Sequence, residues 1–313
     1  MKKLYLVIPC YNEEAVLQET ATQLLNKFNN LVSEGKINED SKIVFVDDGS
    51  KDKTWEMIGE LNKSTKYIRG IKLSRNKGHQ NALLAGLMTV KEEADMVISL
   101  DADLQDDINA IDEMIDKYYE GCDIVYGVRS QRDKDSFFKK HTAEGFYKLI
   151  EKLGVEIVYN HADYRLMSKR ALDELEGFRE VNLFLRGIIP LIGFKTGVVT
   201  YKRNERFAGE SKYPLKKMLA FALEGITSFS IKPIRFITVI GGSIFAISIV
   251  FLIYFLIRHF NGYTVKGWTS TIVSVWALGG FQLLAIGVIG EYIGKIYLET
   301  KDRPKYIIDQ YIK

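Results

Sequence analysis

Cysteine is almost absent from this sequence of 313 residues. Cys10 and Cys122 are the only two, and their spacing suits neither a zinc site nor a disulfide framework. That scarcity fits a reducing, cytosol-facing environment. A surplus of either charge is missing too: 43 basic residues stand against 40 acidic ones, which argues against a general polyanion binder such as a nucleic-acid protein. The phosphate-binding glycine motifs are also missing. No Gly-x-Gly-x-x-Gly follows the first apolar run, and neither Gly-x-x-x-x-Gly-Lys-Ser/Thr nor His-Glu-x-x-His occurs, so dinucleotide oxidoreductases, P-loop nucleotidases and zincin-type proteases are set aside.

Charge is missing locally as well. Phe236 to Ile257 and Trp268 to Gly290 contain no charged residue. About 20 apolar residues cross a hydrocarbon core as a helix, so each stretch is long enough, and the short link from Arg258 to Gly267 makes them a hairpin. Lys212, Lys216, Lys217, Lys232 and Arg235 precede the hairpin, and Lys295, Lys301, Arg303 and Lys305 follow it. The link holds only Arg258 and Lys266, so the positive-inside bias puts the large N-terminal portion and the tail in the cytoplasm. Lys2 and Lys3 precede a short apolar run that Pro9 and Tyr11-Asn12-Glu13-Glu14 cut off, which reads as a first strand rather than a signal peptide. In Pro214 to Lys232, Leu215, Met218, Leu219, Phe221, Ala222 and Ile226 recur at near-helical spacing. Such a helix packs on a soluble domain or lies in the bilayer interface, and its place beside a span favours the interface. The expected division is a cytoplasmic domain over 1–213, an interfacial helix over 214–233, and two spans (about 236–257 and 268–290) with a cytoplasmic tail over 234–313.

What is present in the first portion is an alternation. Leu4 to Pro9, Lys42 to Val46, Ile68 to Leu73, Met96 to Leu100 and Ile124 to Val128 read as strands. Between them lie helical stretches: one starting near Glu13 with Asn12 as its N-cap, then Thr54 to Leu61 and Gln80 to Glu92, and another between the last two strands. The pattern predicts an α/β fold with a mostly parallel, doubly wound sheet. Cys10-Tyr11-Asn12, Asp47-Asp48 and Asp101-Ala102-Asp103 then fall at C-terminal strand ends, on one edge, where such sheets bind ligands. Two carboxylates one residue apart, Asp101 and Asp103, suit a hard cation, Mg²⁺ or Mn²⁺, shared with a substrate's phosphates.

At this point the chain resembles a known family, the inverting family-two glycosyltransferases of the GT-A fold, and within them the polyisoprenyl-phosphate glycosyltransferases. The matching stretches are Val7-Ile8-Pro9-Cys10-Tyr11-Asn12-Glu13-Glu14, Val46-Asp47-Asp48-Gly49-Ser50, Asn76-Lys77-Gly78-His79-Gln80, Asp101-Ala102-Asp103-Leu104-Gln105-Asp106, Ala162-Asp163-Tyr164-Arg165-Leu166-Met167-Ser168 and Arg206-Phe207-Ala208-Gly209-Glu210-Ser211-Lys212-Tyr213. Singly they are modest; together, in the family's order, they are specific.

The resemblance implies a GT-A catalytic domain with a two-helix transmembrane hairpin and transfer of a hexose from a UDP-sugar, glucose as the first guess, to undecaprenyl phosphate with inversion. It implies a nucleotide site of Pro9, Tyr11, Asn12, Glu13, Asp48, Lys77 and Asp101, a metal held by Asp103 with Asp101, and Asp163 as the catalytic carboxylate, either a base or an orienting group. Arg129, Arg206, Ser211 and Lys212 are the phosphate-binding candidates. Ser168 is expected to cap a helix beginning at Lys169. Partners are the UDP-sugar, a polyprenyl phosphate and the membrane, with no nucleic acid; a homo-oligomer is left open. The rival readings are a processive polysaccharide synthase, whose usual Gln-x-x-Arg-Trp element is absent (Asn182 to Gly187 stands in that region), a membrane-tethered nucleotidyltransferase, and a scaffold with a degenerate transferase domain.

Overall fold

The computed structural model describes residues 1–129, 161–181, 184–202, scattered positions between 234 and 261, and 268–313. The chain divides into two compact units, one made of Met1–Tyr147, Glu156–Tyr213 and Arg303–Lys313, the other of Lys148–Val155 and Pro214–Asp302.

The first unit is built on one eight-stranded sheet. Its strands are β1 (Leu4–Cys10), β2 (Lys42–Asp47), β3 (Ile68–Leu73), β4 (Met96–Ser99), β5 (Ile124–Arg129), β6 (His161–Ser168), β7 (Thr196–Tyr201) and β8 (Ile308–Ile312), in the order β7-β5-β6-β4-β1-β2-β3-β8. β1 runs parallel to β2 and β4, β2 to β3, and β5 to β7. Only β6 and β8 run against their neighbours. The sheet is therefore mostly parallel, as the alternation predicts. Its central strands are apolar without alternation because both faces are covered: every residue of β1 is buried.

The described helices of this unit are α1 (Leu17–Ser33), α2 (Thr54–Ser64), α3 (His79–Val90), α4 (Ala110–Tyr119), α5 (Lys169–Glu176) and α6 (Leu185–Leu191). α1 buries Leu17, Thr20, Ala21, Leu24, Phe28 and Leu31, one stripe at helical spacing. α3 lies unusually close to the sheet. A Cβ on its Gly86 would come within 2.4 Å of Val7 Cγ1 and 2.8 Å of Val46 Cγ2, so only glycine fits. α5 begins as expected, with the Ser168 hydroxyl accepting from the Ala171 N–H at 3.1 Å. α1 does not begin as expected. It starts at Leu17, with no side-chain cap, because Asn12 sits in the left-handed region at φ 55° and its side chain is used elsewhere.

The order β4-β1-β2 makes β1 the point where the winding reverses. β4 pairs with β1 only from Leu4↔Met96 to Val7↔Ser99, whereas β2 follows β1 to Cys10↔Asp47. The sheet thus opens between β1 and β4 at its C-terminal edge, the place where ligands enter such folds. Pro9, which has no N–H, pairs with Val46 beyond the last β1–β4 pair, so no ladder bond to β4 is forfeited there.

β8 differs from the trailing tail that the sequence implied. It adds to β3 in antiparallel register, Gly70↔Ile312 to Leu73↔Ile308, and the Ser74 N–H donates to the Ile307 carbonyl at 3.0 Å. Arg69 Nη1 donates to Tyr311 Oη at 3.1 Å and to Glu93 Oε2 at 2.6 Å, and Lys313 Nζ lies 3.0 Å from Glu93 Oε1. The Arg69 guanidinium, with Lys313, holds the Glu93 carboxyl down at about 2 against the opposing effect of burial.

The second unit is described mainly by α7 (Trp268–Thr300), 33 residues long. At 1.5 Å per residue it measures about 50 Å, more than the roughly 30 Å of a hydrocarbon core. It continues past Gly290, where the uncharged run ends. Its segment Leu278–Thr300, of mean hydropathy 1.3, is the one helix among the described residues long and apolar enough to cross a membrane. Residues 214–233 and ten of the 22 positions in 236–257 lie outside the described residues.

Candidate active site

Four loops converge on the open edge of the sheet, and hydrogen bonds fix each of them. After β1, the Asn12 N–H donates to the Ser50 hydroxyl at 3.0 Å, and Asn12 Oδ1 accepts from the Lys51 N–H at 2.9 Å. The Glu13 N–H donates to the Thr54 hydroxyl at 2.9 Å. Asn12 and Glu13 therefore tie the β1 loop to the β2 loop, and Tyr11 is left exposed between them.

After β2, Asp48 is buried and its two oxygens accept from the Lys77 N–H at 2.7 Å and the Gly78 N–H at 2.8 Å. Burial pushes its carboxyl up; those backbone bonds oppose the rise. The turn is tight. Gly49 has φ +68° and a Cβ there would meet Asn76 N at 2.7 Å. Asp48 thus sets the entry to α3, and Lys77 contributes through its backbone.

After β4, the loop carrying Asp101 and Asp103 is held from three sides. The Thr20 hydroxyl of α1 donates to the Ala102 carbonyl at 2.7 Å. Tyr164 Oη donates to the Asp107 carbonyl at 3.1 Å, and Tyr201 Oη to Asp106 Oδ1 at 2.6 Å. Between these stakes Leu104 takes a left-handed φ of 55°, and the Gln105 N–H donates back to Asp103 Oδ1 at 3.2 Å. Arg129, at the end of β5, reaches Asp106 Oδ1 through Nη2 at 3.1 Å, so it is engaged by this loop.

Asp163 joins the edge because β6 runs backwards. The register Ser99↔Arg165 carries the start of β6 past the end of β4, which brings Asp163 beside Asp101. The Asp163 side chain is only 10% exposed, and its carboxylate is clamped by guanidinium groups. Arg165 Nη2 donates to Oδ1, Arg186 Nε to Oδ1 at 3.3 Å and Arg186 Nη2 to Oδ2 at 3.1 Å. Burial by itself would raise this carboxyl, but Arg165 and Arg186 outweigh it and hold the group far below the usual carboxylate range. His79, the first residue of α3, places Nε2 at 3.5 Å from Asp101 Oδ1 and 3.6 Å from Asp163 Oδ2.

Asp101 behaves oppositely. Desolvation first, then repulsion from Asp106, Asp163 and Asp103, pushes its carboxyl up against the pull of His79. The edge is therefore polarised, with excess negative charge at Asp101 and Asp103 and guanidinium charge around Asp163. Among the described residues no three His, Cys, Asp or Glu side chains form a ready ligand set. Asp101 and Asp103 alone suit a cation that takes its other ligands from a phosphate and water.

The structure thus gathers Pro9, Tyr11, Asn12, Glu13, Asp48, Lys77, Asp101, Asp103, Arg129 and Asp163 around one edge. Arg206, Ser211 and Lys212 lie outside the described residues. Sequence reasoning passed over His79, Thr20, Asp106, Arg165 and Arg186. Arg165 had a signal, since residues two apart on a strand share a face. Arg186 had none.

The family description "Glycosyl transferase family 2" matches residues 5–176. The uncharacterized glycosyltransferase YkoT of Bacillus subtilis (strain 168) is 58% identical over 98% of this chain and 91% of its own length. The bactoprenol glucosyl transferase of Shigella phage SfX is 42% identical over 98% of both chains. Among solved structures, glucosyl-3-phosphoglycerate synthase from Mycobacterium tuberculosis aligns with a TM-score of 0.47 and 14% identity over 72% of this chain and 78% of that one, a likeness too distant to bear on function.

Proposed function

The chain belongs to glycosyl transferase family 2, and on that premise we propose that it transfers glucose from UDP-glucose to a polyprenyl phosphate at the cytoplasmic face of a membrane, with inversion. The observation that carries this reading is the near full-length similarity to a bactoprenol glucosyl transferase, 42% over 98% of the chain. The polarised edge supports it, because such a transfer brings together a metal-bound diphosphate and an anionic nucleophile.

In the step itself, an oxygen of the acceptor phosphate attacks the anomeric carbon from the face opposite the diphosphate. The bond from that carbon to the diphosphate oxygen breaks, and its electron pair leaves with UDP. A phosphate dianion has no proton to give up, so charge balances without a base: the acceptor becomes a diester and UDP departs as a terminal phosphate. The second pKa of a phosphate monoester is about 6, far above where Asp163 titrates, so even the monoanion would not yield its proton to this carboxylate. Asp163 is read here as an ionised anchor that orients Arg165, Arg186 and His79. The uridine is assigned to Pro9, Tyr11, Asn12, Glu13 and the Asp48–Lys77 turn, with Tyr11 able to cover a base. Asp103 and Asp101 would hold Mg²⁺ or Mn²⁺, which when bound offsets the charge growing on UDP. The repulsion that raises Asp101 is what such a cation relieves.

Two membrane spans are part of the proposal. The chain leaves the first unit after Tyr213 and re-enters it at Arg303. Crossings between those points must be even in number for β8 to reach β3. If α7 crosses, a second crossing is required, and the uncharged stretch Phe236 to Ile257 supplies it. Arg206, Ser211 and Lys212, just before the hairpin, are then placed for a lipid phosphate at headgroup depth.

The test is mass spectrometry of the lipid product from a panel of UDP-sugars, with UDP release followed in the presence and absence of polyprenyl phosphate. A single hexose on the lipid, strongest from UDP-glucose, is expected. Polymer, or UDP release indifferent to the lipid, would refute the reading.

A further inference from the structure

Asp101 and Asp103 are assigned above to a cation, but their carboxylates are held differently. Asp103 Oδ1 accepts from the Gln105 N–H of the same loop. Asp101 has one ion-pair partner among the described residues, His79, whose Nε2 stands 3.5 Å from Asp101 Oδ1. Asp106, Asp163 and Asp103 repel this carboxylate, and His79 draws it. The Asp101 side chain is 37% exposed, so without His79 its carboxylate would turn freely and be ordered only when a cation arrived. The backbone under His79 is fixed from both sides. Asp48 accepts from the Lys77 and Gly78 N–H groups just before it, Asn81 Nδ2 donates to the Lys77 carbonyl at 2.8 Å, and Gln80 Oε1 accepts from the Leu185 N–H at 2.9 Å. The ring is directed too, because Nε2 lies 3.6 Å from Asp163 Oδ2, and Arg165 and Arg186 clamp that carboxylate.

We propose that His79 is a positioning residue that aims the Asp101 carboxylate at the cation from outside the coordination shell, with Asp163 setting the direction of the ring. The inference deepens the function proposed above and rests on its cation site. Groups that hydrogen-bond a ligating side chain from outside the shell typically account for about 10–100-fold in metal affinity. At 3.5 Å the contact is an ion-pair distance rather than a hydrogen bond, and a small turn of the ring closes it. One ring nitrogen offers one proton or one lone pair, so completing the bond to Asp101 leaves Asp163 to its guanidinium groups. The task calls for reach and not for charge. A positive ring beside a cation site acts by charge alone to weaken the cation, so positioning and charge predict opposite signs when His79 is replaced.

The experiment titrates Mn²⁺ by calorimetry into the full chain in detergent, saturated with UDP, and compares wild type with His79→Gln and His79→Asn. Both variants are neutral amides that differ by a single methylene, and only the glutamine nitrogen extends as far as Nε2. His79→Asn is expected to weaken Mn²⁺ about tenfold or more, while His79→Gln stays within about threefold of wild type. UDP affinity without Mn²⁺ and the melting temperature of the metal-free chain should be unchanged in both, whereas a merely structural role for His79 would move the melt. Equal Mn²⁺ affinities in the two variants, whether tighter than wild type, as loss of charge alone predicts, or the same or weaker, would overturn the proposal. If wild type itself takes up no Mn²⁺, the cation site of the functional reading falls and this inference with it. If wild type binds Mn²⁺ and only the variants disagree, this inference alone is wrong.

Discussion

Asp163 and Arg165 form a buried ion pair, and the cost of breaking it differs from the cost of removing it. Asp163→Asn leaves the Arg165 guanidinium buried without its counter-charge, which typically costs about 3–5 kcal/mol. Replacing both, as Asp163→Asn with Arg165→Met, should recover most of that stability while transfer stays lost, as thermal melts and a UDP-release assay would show. The pH dependence follows in sign. Because the folded Asp163 carboxyl lies below its unfolded value, its contribution is complete above about pH 4 and is lost only as pH falls further. Neutral-range pH–rate profiles should therefore show no limb from Asp163. A limb near pH 6 that vanishes in Asp163→Asn would contradict this. A second residue, Thr20, acts at a distance from any ligand. Removing its bond to the Ala102 carbonyl with Thr20→Val should cost about 1–2 kcal/mol and raise the KM for UDP-glucose, since the Asp101–Asp103 loop loses its anchor on α1. An unchanged KM would show that the tyrosine stakes suffice. Asp101 and Asp103 were legible in the sequence because they follow an apolar run at a strand end, and Asp163 was legible only through the resemblance to a known family. His79 and Arg186 were not, since their significance comes from a backward strand and a short helix that only the folded chain brings to Asp163.

At the scale of elements, the first five strands were legible nearly to the residue, β3 from Ile68 to Leu73 included, because the strands of such a sheet are largely apolar runs. β7 and α6 were not read at all, and α1 and β8 differ from expectation. α1 was expected near Glu13, but Asn12 is spent on bridging to Ser50 and Lys51, so the helix waits until Leu17. β8 is short, its first three residues are exposed, and its partner is remote: Arg69 and Tyr311 stand 242 positions apart. No local pattern could reveal such a pairing. The packing of α3 gives a direct test of element-level geometry. Gly86→Ala would drive a methyl into Val7 and Val46 and should destabilise the unit by about 1–3 kcal/mol, shifting α3 and with it His79. A melting temperature equal to wild type would mean that α3 can lift off the sheet at no cost.

At the scale of the molecule, the return of residues 303–313 to the sheet means that the stretch Pro214–Asp302 leaves the α/β unit and comes back to it. Glu93→Gln removes the carboxylate that Arg69 and Lys313 share, and should raise hydrogen exchange in β8 at pH 7 while leaving β1 protected. In wild type the same protection, corrected for intrinsic rates, should be flat above about pH 5 and fail as pH drops toward the depressed Glu93 value, because protons bind the unpaired carboxyl more tightly. Exchange in β8 that ignores both changes would show that the backbone ladder alone holds it.

The same strand sets an order of events during synthesis. β3 leaves the ribosome early, but the strand that covers its edge follows α7 in the chain. Until residues 303–313 have been made, β3 presents an open row of N–H and C=O groups, a template for wrong pairing. The sheet can be completed only after α7 has been made, and on the proposed two-span topology its completion follows insertion of the spans.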